Sequence, residues 1–506
     1  MLNQLGFYPE SDVQFSVIVH SQIRDTLTAK EEHKAPGPAY FITNLSGDEI
    51  VRTGKLAPAL DWSRVGGVRA HHVNEGPLPT GEYRIYVPGL GYSTDFMVKE
   101  GLYQEAFIAS LKSDYYQRAG EELLPQHAGM YARPAGHPDT SDLFHPSSCR
   151  SGITRSPGGW YDAGDFNKYI VNAAFPLAQY LALFEDIGDP IPDGGLNIPE
   201  SGNGRSDYLD ELKVELDWML TMQDKDGGLF HKLTTLKFEG MVMPHEATNQ
   251  RYVVGKGTAA TLDFAGATAM AARIFRSVDE AYSNQLLLAA ERAWKWAEEH
   301  PDVAFTNPAD VNTGQYGDKN FADERTFVAA ELFLTTDAPV YLEWLEANLP
   351  PVGYREGGSW TAFMGQLAVF SLLRNRQSIP EGMQTKLTER LVGVADSLIG
   401  AIDTSAFRQP VNRFVWGSTS DVLNGAMVLI AAHQQRPEAE YIAGVKASVD
   451  YIFGHNPLGY SYVTGFGDRT PMFIHHRACV ADGFQNKVDL IKQIVCFKMS
   501  LYLFLF

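Results

Sequence analysis

Cysteine is scarce in this chain. Three residues, Cys149, Cys479 and Cys496, among 506 cannot build a disulfide framework, so a reducing compartment is expected. Positive charge is short as well. Lys and Arg number 42 against 61 Asp and Glu, a net charge of −19, which argues against nucleic acid and anionic membranes as partners because both need basic patches. The opening "MLNQLGFYPESDVQF" has neither the basic nor the apolar region of a secretory signal, and the apolar ending "IVCFKMSLYLFLF" is interrupted by Lys498 and too short to span a bilayer. The expected location is the cytoplasm. Aromatic residues, in contrast, are plentiful at 12%, and rings suit the C–H faces of sugars. A chain of this length calls for two domains, one of them large.

The pattern changes near residue 100. Before it, Val13, Phe15, Val17 and Val19 alternate with their neighbours, as do Tyr83, Ile85 and Val87, and "PTGEY" and "VPGLGY" supply turns. Residues 1–98 are expected to form an antiparallel β-sandwich of immunoglobulin type. Beyond Leu102 the period is helical. Ile170, Ala174, Leu177 and Leu181 share a face, and so do Leu209, Leu212, Leu216 and Leu220, behind a cap at Ser206 or Asp207. Further helical runs fall near 104–124, 257–276, 282–299, 320–335, 360–374, 383–400, 418–434 and 438–453. Helices without interleaved strands and without a strict repeat predict a closed all-α ring.

Two loops carry chemistry. In "PGGWYDAGDFNKY" two carboxylates, Asp162 and Asp165, stand three residues apart around Gly164, expected to let the chain turn. Adjacent acids raise each other's proton affinity, which prepares one of them to act as a base near neutral pH. The plainer alternative makes Asp165 a cap for a helix starting at Phe166. The second loop, "YIFGHNPLGYSYVTGFGDRTPMFIHHR", ends in His475, His476 and Arg477, donors suited to hydroxyl or carboxylate groups.

Together with "YYQRAG", "NIPESGNGRSDYLDELKVELDWMLTMQD", "RYVVGKGTAATLDFAGATAMAARIF" and "FVWGSTSDVLNGAM", these segments resemble glycoside hydrolase family 9, in its intracellular, exo-acting branch. The resemblance implies an (α/α)6 barrel over 103–487 behind an immunoglobulin-like domain. It implies inverting hydrolysis of β-1,4-linked glucosides, such as cello-oligosaccharides, or of glucosaminides, with no cofactor. It makes Asp165 the general base and Asp162 its partner in holding water. His475 would join the catalytic residues and contact the sugar, His476 and Arg477 would bind the substrate, and Trp160 would line the cleft.

Two departures stand out. Family members that bind a structural metal have Cys where this chain has Ala119, and His127, His137, His145 and Cys149 are too irregularly spaced for a ligand set, so no metal is expected. The family's general acid is a glutamate beyond the His-His-Arg motif, whereas "FQNKVDLIKQIVCFKMSLYLFLF" contains none. Residues 488–506 form an atypical apolar tail, and Glu246 is a poor replacement for the acid. Impaired catalysis follows from this reading. The alternative is an inactive carbohydrate-binding protein.

Overall fold

The computed structural model describes residues 1–20, 39–62, 68–349, 353–354, 361–415 and 417–482. The apolar tail at 488–506, and the whole stretch beyond Asp482 where the family resemblance would place the general acid, lie outside the described residues.

Among the described residues nine strands precede the helices: β1 (Gly6–Phe7), β2 (Val13–His20), β3 (Ala39–Asn44), β4 (Ile50–Lys55), β5 (Leu60–Trp62), β6 (Val68–Glu75), β7 (Gly81–Val87), β8 (Gly91–Tyr92) and β9 (Phe96–Val98). One sheet runs β1-β9-β7-β3-β4 with β8 also on β7, and the other runs β2-β6-β5. The alternating residues of β2 and β7 point into one core, where Val13, Phe15 and Val17 meet Tyr83, Ile85 and Val87. The sandwich is antiparallel except for β1, which lies parallel to β9.

The helices that follow are α1 (Gln104–Tyr116), α2 (Pro125–Ala128), α3 (Ile170–Ile187), α4 (Asp207–Thr221), α5 (Thr258–Phe275), α6 (Glu280–Glu299), α7 (Ala322–Thr336), α8 (Pro339–Ala347), α9 (Met364–Arg374), α10 (Glu381–Thr404), α11 (Ser418–Gln435), α12 (Ala439–Ile452) and α13 (Arg477–Ala481). Their burial separates two layers. Every residue of α5 except Arg273 is buried, and α3, α7, α9 and α11 are nearly as enclosed. These five are the inner helices among the described residues. Helix α6 instead buries Tyr282, Leu286, Ala289, Ala290, Ala293 and Ala297, the single stripe of an outer helix. Helix α4 starts at Ser206, whose hydroxyl accepts the Leu209 N–H. Ion pairs join the inner helices at their C-terminal ends: Arg273 of α5 reaches Glu185 of α3 and Glu331 of α7, both at 2.7 Å. Arg374 of α9 reaches Glu185 at 3.1 Å.

Strands do interrupt the helices, contrary to the sequence reading. A five-stranded sheet runs β11 (Ile153–Thr154), β10 (Asp142–Phe144), β14 (Arg251–Lys256), β13 (Phe230–Thr235), β12 (Lys168–Tyr169). All six residues of β13 are buried, so it shows no two-residue alternation, and β12 is only two residues long. No helix among the described residues is long and apolar enough to cross a membrane.

Candidate active site

The Gly-Gly-Trp turn is built against α4. Gly159 has φ +73° and a side chain there would meet the Trp218 ring at 2.6 Å, so only glycine lets the loop descend this far. Trp160 then points inward. It is 1% exposed, its backbone N–H donates to Glu215 Oε2, and its indole donates to Glu211 Oε1 at 2.8 Å. Glu211 is itself paired with Arg118 at 2.9 Å. The expectation that Trp160 lines the cleft is therefore corrected: the indole needs a buried acceptor, finds it on α4, and anchors the loop from behind.

With the indole inside, the two acids follow on the outer side. Asp165 Oδ1 accepts the Asn167 N–H at 2.8 Å, and the Asp162 N–H donates to the Asn167 carbonyl at 3.0 Å. Helix α3 begins only at Ile170, with Tyr169 at its cap, so Asp165 is not a helix cap. Asp162 has donors on both oxygens, Asn172 Nδ2 at 2.8 Å and the Tyr316 hydroxyl at 3.1 Å. Burial and then the neighbouring Asp162 charge push the Asp165 carboxyl up to about 7, against the opposing pull of the Asn167 N–H, Arg477 and Arg251.

The His-His-Arg segment closes over this loop. A side chain on Gly164 would lie 2.0 Å from the His475 carbonyl oxygen. Gly164 therefore permits a close backbone approach, and its φ is not in the left-handed region, so the tight turn expected there is not the reason for glycine. Arg477 donates to the Gly164 carbonyl through its backbone N–H (3.1 Å) and Nη1 (2.7 Å). Its Nε donates to the Glu239 carbonyl at 2.9 Å, and its guanidinium lies over the Phe238 ring. His476 is buried: Nδ1 accepts the Cys479 N–H and caps α13, while Nε2 lies 3.1 Å from Gln117 Oε1. Burial, then Arg133, Arg477 and His475, lower His476 to about 4. His475 is exposed.

Asp162, Asp165, His475 and Arg477 thus meet around one pair of loops. Sequence reading missed Gln117, Asn172 and Tyr316. Gln117 ties the motifs together, its carbonyl accepting the Tyr161 N–H at 2.8 Å and its amide donating to the Ala163 carbonyl at 2.7 Å. Gln117 lay within a segment already singled out and Asn172 just beyond one; Tyr316 lay in a loop with no local mark.

Ala119 packs with Tyr161, Phe166 and Ala247. His137 Nδ1 lies 2.8 Å from the Tyr161 hydroxyl, His145 pairs with Asp310, His127 sits by Asn197, and Cys149 is exposed. No group of three metal-ligating side chains is gathered among the described residues.

The family model for glycosyl hydrolase family 9 matches residues 103–493. The chain belongs to that family. It is 34% identical over 512 residues to a xyloglucan-specific endo-beta-1,4-glucanase from Bacteroides ovatus, covering 96% of this chain and 84% of the relative. It is 32% identical over 411 residues to endoglucanase D of Acetivibrio thermocellus, covering 80% and 65%. A Bacteroides ovatus family 9 structure superposes with a TM-score of 0.87 at 31% identity, covering 99% of this chain and 97% of that one. Family 9 structures have an (α/α)6 barrel, and the helical part of this chain has that fold behind its β-sandwich.

Proposed function

We propose that this family 9 protein hydrolyses β-1,4-linked glucan chains with inversion at the anomeric carbon. The observation that carries the reading is the pair Asp162 and Asp165 in one loop, with the Asp165 carboxyl raised to about 7 by burial and its neighbour. A water held between the two acids attacks the anomeric carbon as Asp165 takes its proton. Inversion also needs an acid on the opposite face of the bond, about 6.5–9.5 Å away from the base. Residues 483–506 hold no glutamate, so leaving groups that depart without a proton are favoured over sugar hydroxyls. Phe238 and Phe473, 43% and 73% exposed and close in sequence to Glu239 and His475, replace Trp160 as the rings offered to sugar. The relatives' glucan substrates favour glucosides over glucosaminides.

The experiment offers aryl β-cellobioside, cello-oligosaccharides, xyloglucan and chitosan oligosaccharides to the protein. The aryl substrate is expected to turn over, with the sugar-leaving substrates slower by about 10²–10⁴-fold, the usual worth of general acid catalysis. Terminal attack, the mode of the branch the chain resembles, gives one small product from the start; internal attack gives a ladder. The absence of that glutamate also favours a second reading, an inactive carbohydrate-binding protein. It is supported if sugars bind while no substrate, the aryl one included, is cleaved.

A further inference from the structure

Strand β13 holds the loop that delivers Tyr316. Lys232 is fully buried and its Nζ donates to Asn307 Oδ1 (2.7 Å), Thr313 Oγ1 (3.1 Å) and the Gly314 carbonyl (2.7 Å). Two residues along the strand, the Thr234 hydroxyl meets Thr313 Oγ1 at 2.7 Å, and two further on the Leu236 carbonyl accepts the Asn312 N–H at 2.7 Å. The loop is thus fastened by two side chains on the same face of β13 and by a carbonyl just past its end. From the other side the Gly314 N–H donates to the Tyr169 hydroxyl at 3.3 Å, and Tyr169 lies opposite Lys232 in the β12–β13 pair. The loop ends at Tyr316, a non-glycine residue at φ +45°. Such a conformation persists only when its surroundings enforce it. Here it sets the Tyr316 ring edge-on to Tyr169, 4.7 Å between centroids, with the hydroxyl on Asp162.

We propose that Lys232 is a positioning residue for the acid pair: its ammonium fastens the 307–316 loop so that Tyr316 holds Asp162, and its positive charge favours the ionised form of Asp165. The proposal rests on the reading of Asp165 as general base. A buried ammonium is costly, and an apolar residue would fill the same space without that cost, so the charge itself needs a role. Burial lowers Lys232 to about 7 while the Asp165 charge opposes that fall. The groups acting on Asp165 are Asp162 and the Asn167 N–H in its own loop, Arg477 from α13 and Arg251 from β14. Tyr169 of β12 and Lys232 of β13 also feel its charge.

The test compares the full chain with its Lys232→Met and Lys232→Arg variants. One readout is the carboxyl ¹³C titration of Asp165, which needs no substrate and still decides the matter if the wild type cleaves no glycoside. The other is kcat and KM on an aryl β-cellobioside across pH. Lys232→Met is expected to move the Asp165 midpoint upward by about half a unit or more, as loss of a nearby opposite charge does, and to lower kcat at least roughly three-fold at pH 6. KM should stay within about two-fold, the sign that ground-state binding is intact. Lys232→Arg should keep the midpoint. An unmoved midpoint in folded Lys232→Met overturns the proposal, whatever happens to kcat. If Lys232→Met does not fold, Asn307→Leu with Thr313→Val removes two acceptors and keeps the charge. A fall in kcat to which Tyr316→Phe adds nothing then supports the proposal, and an unchanged kcat overturns it.

Discussion

At the scale of single residues, the site works against the stability of its own fold. The Asp165 carboxyl moves from 3.8 to about 7 on folding. A raised carboxyl contributes stability that is complete below its unfolded value and is lost as pH rises through the folded one. At pH 8 the folded protein therefore carries a penalty on the order of 4 kcal/mol at this one group. Urea unfolding of Asp165→Asn should show it more stable than wild type at pH 8 and equal to it near pH 4; equal stability at both pH values would contradict the assignment. Gly164 and Trp160 show how far single residues are legible in the sequence. A Gly between two acids marks a special position, yet the reason for it, the His475 carbonyl, lies far along the chain. Trp160 reads equally well as a sugar platform or a buried anchor, because what decides is Glu211 on a helix not yet placed.

Among the elements, the inner helices are locked by charge. Arg273 is the one residue of α5 that is not fully buried, and it serves both α3 and α7. Glu331 is wholly buried, so removing its counter-ion leaves an uncompensated charge. Arg273→Met should destabilise the protein by about 3–5 kcal/mol, and adding Glu331→Gln should recover part of that loss; chemical denaturation of both variants measures it, and a change under about 1 kcal/mol would contradict the pairing. The helices themselves are legible because outer ones such as α6 and α4 show one apolar stripe and α4 has a capping serine. The small sheet is not, since β13 is buried throughout and β12 gains its identity only by pairing. Gln117, Lys232 and Tyr316 escaped for the same reason: each acts across a long sequence separation, and no local period marks them.

Across the whole molecule, the sandwich and the helical part are joined by buried polar contacts. Asn3 donates to the Tyr103 hydroxyl at 2.7 Å and to Asp450 Oδ1 at 2.8 Å, and Gln4 donates to the Gly459 carbonyl at 2.8 Å. These contacts reach α12 and the segment that goes on to His475 and Arg477, so the sandwich braces the loop that closes the site. Asn3→Leu should cost about 1–3 kcal/mol by leaving Asp450 without this donor, and the two parts should still melt together; strand and helix signals that melt at separate temperatures would contradict the coupling. The central claim is that Asp165 deprotonates the attacking water. It is tested most directly by kcat/KM on an aryl β-cellobioside as a function of pH, for wild type and Asp165→Asn. A base must be ionised to act, so wild-type activity should fall as pH drops below about 7, and Asp165→Asn should lose at least about 10²-fold at pH 8. A variant that keeps wild-type activity, or a wild-type profile with no acid limb near 7, would contradict it.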